Sequence, residues 1–158
     1  MMMNFFRVYL LFFFTMNFGC DASNELRFFP NKSSDGVIFQ LGYNNVNGLL
    51  GMVVWVEETR KPLWVLDLNY FDGSSIKYGV VPLDQKKAVK QVYPHEGGAR
   101  PLPIGRTIMI KFEYQYDSLF GPSATSACYG FKLNADGEIV DFSERRYISS
   151  KGPVIPEN

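Results

Sequence analysis

Histidine and cysteine are scarce in this chain, and neither sign of charge is in excess. Its 158 residues hold one histidine, His95, and two cysteines, Cys20 and Cys128. A single imidazole excludes a metal site built from several histidines, and any Ser-His-Asp triad would have to use His95 as its base. No serine stands in a Gly-x-Ser-x-Gly elbow, the strained turn that exposes a nucleophile. Two cysteines allow at most one disulfide, so the folded domain depends on its apolar core. Sixteen Lys and Arg balance sixteen Asp and Glu, which leaves no surplus of positive charge to track a phosphate backbone; nucleic acid is not an expected partner. A glycine-rich phosphate loop is also missing, because Gly97-Gly98-Ala99-Arg100 runs into prolines and a strand instead of a helix. Asp136-Gly137-Glu138 offers too few oxygens for a calcium loop. These residues imply no cofactor and no metal.

Long apolar runs are lacking too. The run at residues 8–14 falls well short of the roughly 20 residues that cross a hydrocarbon core. It follows Arg7 and gives way to smaller, more polar residues, the order of a secretory signal peptide, so residues 1–19 are read as a leader. An uncleaved anchor, the other reading of this segment, also places the domain outside the cytoplasm. At the leader's end, Gly19-Cys20 resembles the junction of bacterial lipoprotein precursors, where the cysteine becomes the lipidated first residue of the mature protein. The resemblance covers the leader alone. It implies lipid attachment at Cys20 and a place in the bacterial cell envelope, membrane-anchored and facing the periplasm or the exterior. Cleavage after Ala22, offered by the small-x-small pattern of Cys20-Asp21-Ala22, stays open and would make the protein soluble, secreted or periplasmic. A Cys20–Cys128 disulfide needs cleavage upstream of Cys20 without lipidation. Cys128 sits among apolar neighbours at a strand start, where burial raises a thiol pKa; it reads as a small core residue and not as a nucleophile paired with His95.

Residues 20–35 mix polar and apolar types without a period and read as a tether. Residues 36–149 form the domain. Aromatics at 16% favour strands. Alternation predicts strands over 37–43, 63–70, 107–116 and 128–133, the last joined to 138–142 by the turn Asn134-Ala135-Asp136-Gly137. Residues 49–57 are apolar on both faces, as in a central strand, and 76–81 reads as a further short strand. Residues 83–92 lack alternation and place Leu83, Ala88, Val89 and Val92 on one face of a short helix capped by Asp84. Residues 93–105 and 117–127 read as long loops, and 150–158 as an extended tail. The stretch "MVVWVEETRKPLWVL", Met52 through Leu66, looks like a hairpin of immunoglobulin-like periplasmic domains. The expected fold is all-β: an antiparallel two-sheet sandwich, immunoglobulin-like or transthyretin-like, with one short helix.

Function then falls to recognition. Loops on a rigid sandwich commonly carry binding residues. The first long loop offers His95, Glu96 and Arg100 beside flexible glycines; the second offers Leu119 and Phe120, apolar residues that a mere turn does not need. These five are the candidate partner-binding residues, with the alternative that Leu119 and Phe120 fold back as a plug over the sandwich's open end. The expected function is non-catalytic binding of a protein or envelope partner, as in accessory subunits, inhibitors or immunity-type proteins. A carbohydrate-binding domain is the alternative, and would show a row of surface aromatics. A hydrolase using His95 is a third. Trp55 and Trp64, close on one hairpin, are expected to serve the core in at least one case.

Overall fold

The computed structural model describes residues 25–83 and 88–144 together with Pro153. The leader at 1–19, Cys20 and the tail at 150–158 other than Pro153 lie outside the described residues. Nine strands follow one another: β1 (Glu25–Ser33), β2 (Gly36–Asn44), β3 (Val46–Val56), β4 (Pro62–Phe71), β5 (Ser75–Lys77), β6 (Lys90–Tyr93), β7 (Ile108–Ser118), β8 (Gly121–Leu133) and β9 (Ile139–Glu144). They form two antiparallel sheets, a small one ordered β1-β2-β5 and a large one ordered β6-β4-β3-β7-β8-β9. The expected two-sheet sandwich is the observed fold.

Alternation builds the core. Phe28, Phe39 and Ile76 from the small sheet meet Trp64, Ile110, Phe112 and Phe131 from the large one. Ring pairs cross between the sheets, Phe28 to Phe112 at 5.1 Å and Phe39 to Phe131 at 6.3 Å. Each such buried ring is worth about 1.5–3 kcal/mol. The doubly apolar β3 is the central strand it was read to be, flanked by β4 and β7. Met52, Val54 and Val56 face the core, while Val53 and Trp55 pack with Met109 and Cys128 on the opposite face. Cys128 is therefore a buried thiol, but in this outer cluster and not between the sheets.

Several expectations change. The tether reading fails from residue 25 onward: β1 pairs along its length with β2 and places Leu26, Phe28 and Pro30 inward. Phe29 beside Phe28 disguises the period, and Pro30 is accommodated because β1 is an edge strand, where a missing N–H disrupts no ladder. No helix occurs among the described residues. In the segment read as helical, residues 84–87 lie outside the description, but Lys90–Tyr93 is strand β6, with Gln91 paired to Leu66 and Tyr93 to Val65. A helix of under three turns is marginal alone, and pairing with the edge of β4 satisfies the same backbone groups. The second long loop is instead a hairpin, since β7 and β8 stay in unbroken register from Ile108 opposite Phe131 to Ser118 opposite Gly121. Finally, the gap between the strands expected at 37–43 and 49–57 contracts to Asn45, in the left-handed region at φ 54°, which bends the chain from the small sheet into the large one.

A bulge breaks the alternation predicted for β4. Asn69 and Tyr70 adopt φ of 44° and 66°, which turns Tyr70 outward, 43% exposed, and Phe71 inward at 6%. Gly48 on β3 lies against this bulge at φ 148°, where an added Cβ would stand 2.7 Å from the Tyr70 carbonyl oxygen.

Candidate functional site

Strand register divides the candidate residues between two ends of the sandwich. At the entry end the chain reaches Glu25, bends at Asn45 and turns between β7 and β8. At the distal end lie the β1–β2, β3–β4 and β8–β9 turns and the segment leading into β7. The eleven residues of β7 span roughly 35 Å at the rise of an antiparallel strand. His95, Glu96 and Arg100 are at the distal end and Leu119 and Phe120 at the entry end, so the fold does not join them in one surface.

The distal loop is held by polar contacts rooted in the core. Trp64, fully buried, donates its indole N–H to Gln91 Oε1 at 2.9 Å. Gln91 Nε2 in turn donates to the carbonyls of Pro94 at 2.6 Å and Gly97 at 2.7 Å. The Tyr93–Pro94 bond is cis. His95 sets its ring edge-on to Tyr93 at 6.1 Å, and the Arg100 guanidinium lies 5.4 Å over the same Tyr93 ring. Farther along, the Arg100 backbone N–H donates to Leu63 O at 3.0 Å and its carbonyl accepts from the Tyr78 hydroxyl at 2.6 Å. Burial pushes that hydroxyl well above the ordinary tyrosine range. His95, Glu96 and Arg100 themselves remain exposed.

Between this segment and the β1–β2 turn opens a cleft of about 460 Å³, with Lys32, Asp35, Tyr78, Arg100, Leu102 and Leu133 among its walls. Lys77 pairs with Asp35, and this hydrogen bond, helped by one from Ser33, holds the Asp35 carboxyl below its usual range. Lys32 Nζ donates to Asp136 O at 2.6 Å, tying the β1–β2 turn to the β8–β9 turn. The latter is built by Asn134, whose Oδ1 accepts from the N–H groups of Asp136 at 3.0 Å and Glu138 at 2.8 Å. The cleft therefore mixes apolar walls with both signs of charge, a lining suited to a polar, uncharged or zwitterionic contact. Among the described residues no three His, Cys, Asp or Glu side chains come together as a metal site. His95 has, among those residues, its ring contact with Tyr93 but no hydrogen bond to a serine or carboxylate.

At the entry end the β7–β8 hairpin projects past its neighbours. Leu119 and Phe120 occupy its tip and are both 100% exposed, so they plug nothing. Ser118 shapes the turn: its hydroxyl donates to Gly121 O at 2.7 Å and accepts from the Phe120 N–H at 3.3 Å. Asn47 on β3 steadies the base through a 2.9 Å bond from Nδ2 to Asp117 Oδ1.

Both tryptophans are buried, Trp55 at 3% and Trp64 at 0%. The exposed aromatics Phe29 and Phe142 meet at 6.2 Å where the edge strands β1 and β9 approach, and Tyr70 sits on β4. They make no row on one sheet face. Sequence reasoning missed Gln91, Tyr78, Lys32 and Asp35. Gln91 was hidden in a segment without alternation, and the others become neighbours of Arg100 only through sheet packing. Comparison of the chain with protein-family models, curated proteins and solved structures finds no match in any of the three.

Proposed function

We propose that this chain is an exported, lipid-anchored β-sandwich of the bacterial envelope that binds a protein or envelope partner at its distal end and catalyses no reaction. One observation carries the reading: the distal loop keeps His95, Glu96 and Arg100 exposed while Gln91, Tyr78 and Leu63 fix its backbone. A loop ordered in advance gives up little conformational entropy when a partner docks. The leader and Gly19-Cys20 support export and anchoring. The exposed histidine, carboxylate and guanidinium suit a partner surface with mixed charge, and the cleft beside them admits a side chain from that partner.

A photo-crosslinking residue at Glu96, with the exposed Gln40 on β2 as control, tests this in intact cells. A discrete adduct from position 96, none from position 40, and at least about tenfold less adduct in Arg100→Glu at unchanged thermal stability are expected, since truncated interface arginines commonly cost more than 1 kcal/mol. Equal labelling at both positions, or an adduct indifferent to Arg100→Glu, refutes the proposal.

A further inference from the structure

We infer that the Leu119-Phe120 tip is a membrane contact, entering the outer edge of a lipid bilayer beside the Cys20 anchor; the inference rests on the anchored reading above. β1 begins at Glu25, which pairs with Asn44, and past the Asn45 bend Val46 pairs with Tyr116. Glu25, the first described residue, thus lies at the same end from which the hairpin projects. Cys20 stands five positions before Glu25, a stretch that reaches at most about 18 Å when fully extended. An anchored Cys20 therefore keeps Glu25 within that distance of the bilayer surface. The tip lies three to four residues beyond Tyr116, about 10 Å farther along the strand direction, and closes much of that gap.

The chemistry of the tip agrees with that placement. Leu119 and Phe120 are wholly exposed and contribute nothing to the core. No charged residue occurs between Asp117 and Lys132, so shallow insertion takes no charge out of water. Polar backbone groups are costly in lipid unless bonded within the protein, and here the Ser118 hydroxyl serves both the Gly121 carbonyl and the Phe120 N–H while the strands pair up to Ser118 and Gly121. Asp117, bonded to Asn47, stands just behind the tip and limits its depth. Tyr116 and the exposed Tyr70 lie at the same end, and tyrosine favours the headgroup region. With no Lys or Arg in the hairpin's outer half, attachment is apolar and insensitive to salt. An apolar pocket in a protein could accept the same two side chains; the shortness of the connection to Cys20 is what favours lipid. The distal cleft then faces away from the membrane.

Bromolipid quenching decides the matter. The processed chain, purified from membranes, carries Leu119→Trp or, as a distal control, Glu96→Trp, and is reconstituted into phosphatidylcholine vesicles with or without brominated acyl chains. Position 119 should shift its emission to the blue and lose at least about half its intensity to shallow bromines, with position 96 unchanged. Absence of quenching at 119, or equal quenching at both positions, overturns the inference, as does a crosslink from position 119 to an envelope protein in place of lipid. The mass of the mature chain reports acylation separately. An unacylated chain defeats the anchored reading, and the tip is then judged by the same quenching in the soluble chain mixed with vesicles. Phe120→Ser should weaken vesicle flotation of that soluble chain by about tenfold; unchanged flotation counts against the tip.

Discussion

The hydroxyl of Tyr129 offers a test of how the two sheets are held together. It donates to Leu26 O at 2.5 Å across 103 residues of sequence, linking β8 of the large sheet to β1 of the small one. Tyr129 is 5% and Leu26 3% exposed, so water does not readily replace a lost partner. Tyr129→Phe keeps the ring, which stacks on Phe142 with centroids 6.1 Å apart and lies 4.8 Å from Phe28, and removes only the hydroxyl. A made hydrogen bond contributes about 1 kcal/mol net, but depriving a buried carbonyl of its donor costs about 1–3 kcal/mol, so a loss near 2 kcal/mol is expected. For a domain of this size that lowers Tm by roughly 6–10 °C. Urea denaturation should show a lower midpoint at an unchanged m-value, because the surface exposed on unfolding is the same. Tyr43→Phe is the comparator: its hydroxyl donates to Gly73 O at 2.8 Å in a half-buried site, and the loss should be nearer 1 kcal/mol. A Tyr129→Phe loss below about 0.5 kcal/mol, or one smaller than that of Tyr43→Phe, would show that this bond does not couple the sheets.

Other perturbations follow from the same geometry. Burial raises the hydroxyl pKa of Tyr43, Tyr78 and Tyr129 above the ordinary value, so above about pH 10 the folded state holds more protons than the unfolded one. Stability is then intact below that pH and falls as pH rises toward the folded-state values; a urea midpoint constant from pH 8 to about 11.5 would contradict this. Gly48→Ala forces a Cβ to 2.7 Å from the Tyr70 carbonyl at φ 148° and should cost about 2–4 kcal/mol, measured by thermal unfolding. Trp64→Phe removes the donor to Gln91 and should speed amide exchange in residues 95–100 more than elsewhere, with an overall loss of about 1–2 kcal/mol. The Cys128 thiol, 3% exposed, should react with a thiol reagent only at the rate of unfolding; stoichiometric labelling of the native chain within seconds would refute its burial.

Where a strand sits with one face on the core, its alternation was legible: Ile108, Ile110, Phe112 and Tyr114 are buried as their spacing predicts. Legibility failed where the pattern was carried by something other than alternation. β1 hides its period because Phe29 faces outward beside Phe28. The first half of β8, from Gly121 through Ala127, has no large apolar residue to mark a buried face, and is a strand because β7 pairs with it residue by residue. β6 is a strand because β4 has an edge to fill. At the candidate site, His95, Glu96 and Arg100 were visible as polar residues in a glycine-rich loop, whereas Gln91, which holds the loop in place, was not.

The amino-acid order by itself determined the all-β class, the dependence on an apolar core, the balanced charge and the short apolar run ahead of Gly19-Cys20. Those properties are local or compositional, set by side-chain period and by residue counts. Only the tertiary structure decided that the two groups of candidate residues belong to opposite ends, that Leu119 and Phe120 stand in the open, and that β1 begins at their end. Such relations arise from strand register and from sheet packing, which joins residues as far apart as Leu26 and Tyr129. No periodicity within one segment encodes which distant edge it will meet, because that choice minimises the energy of the whole core at once.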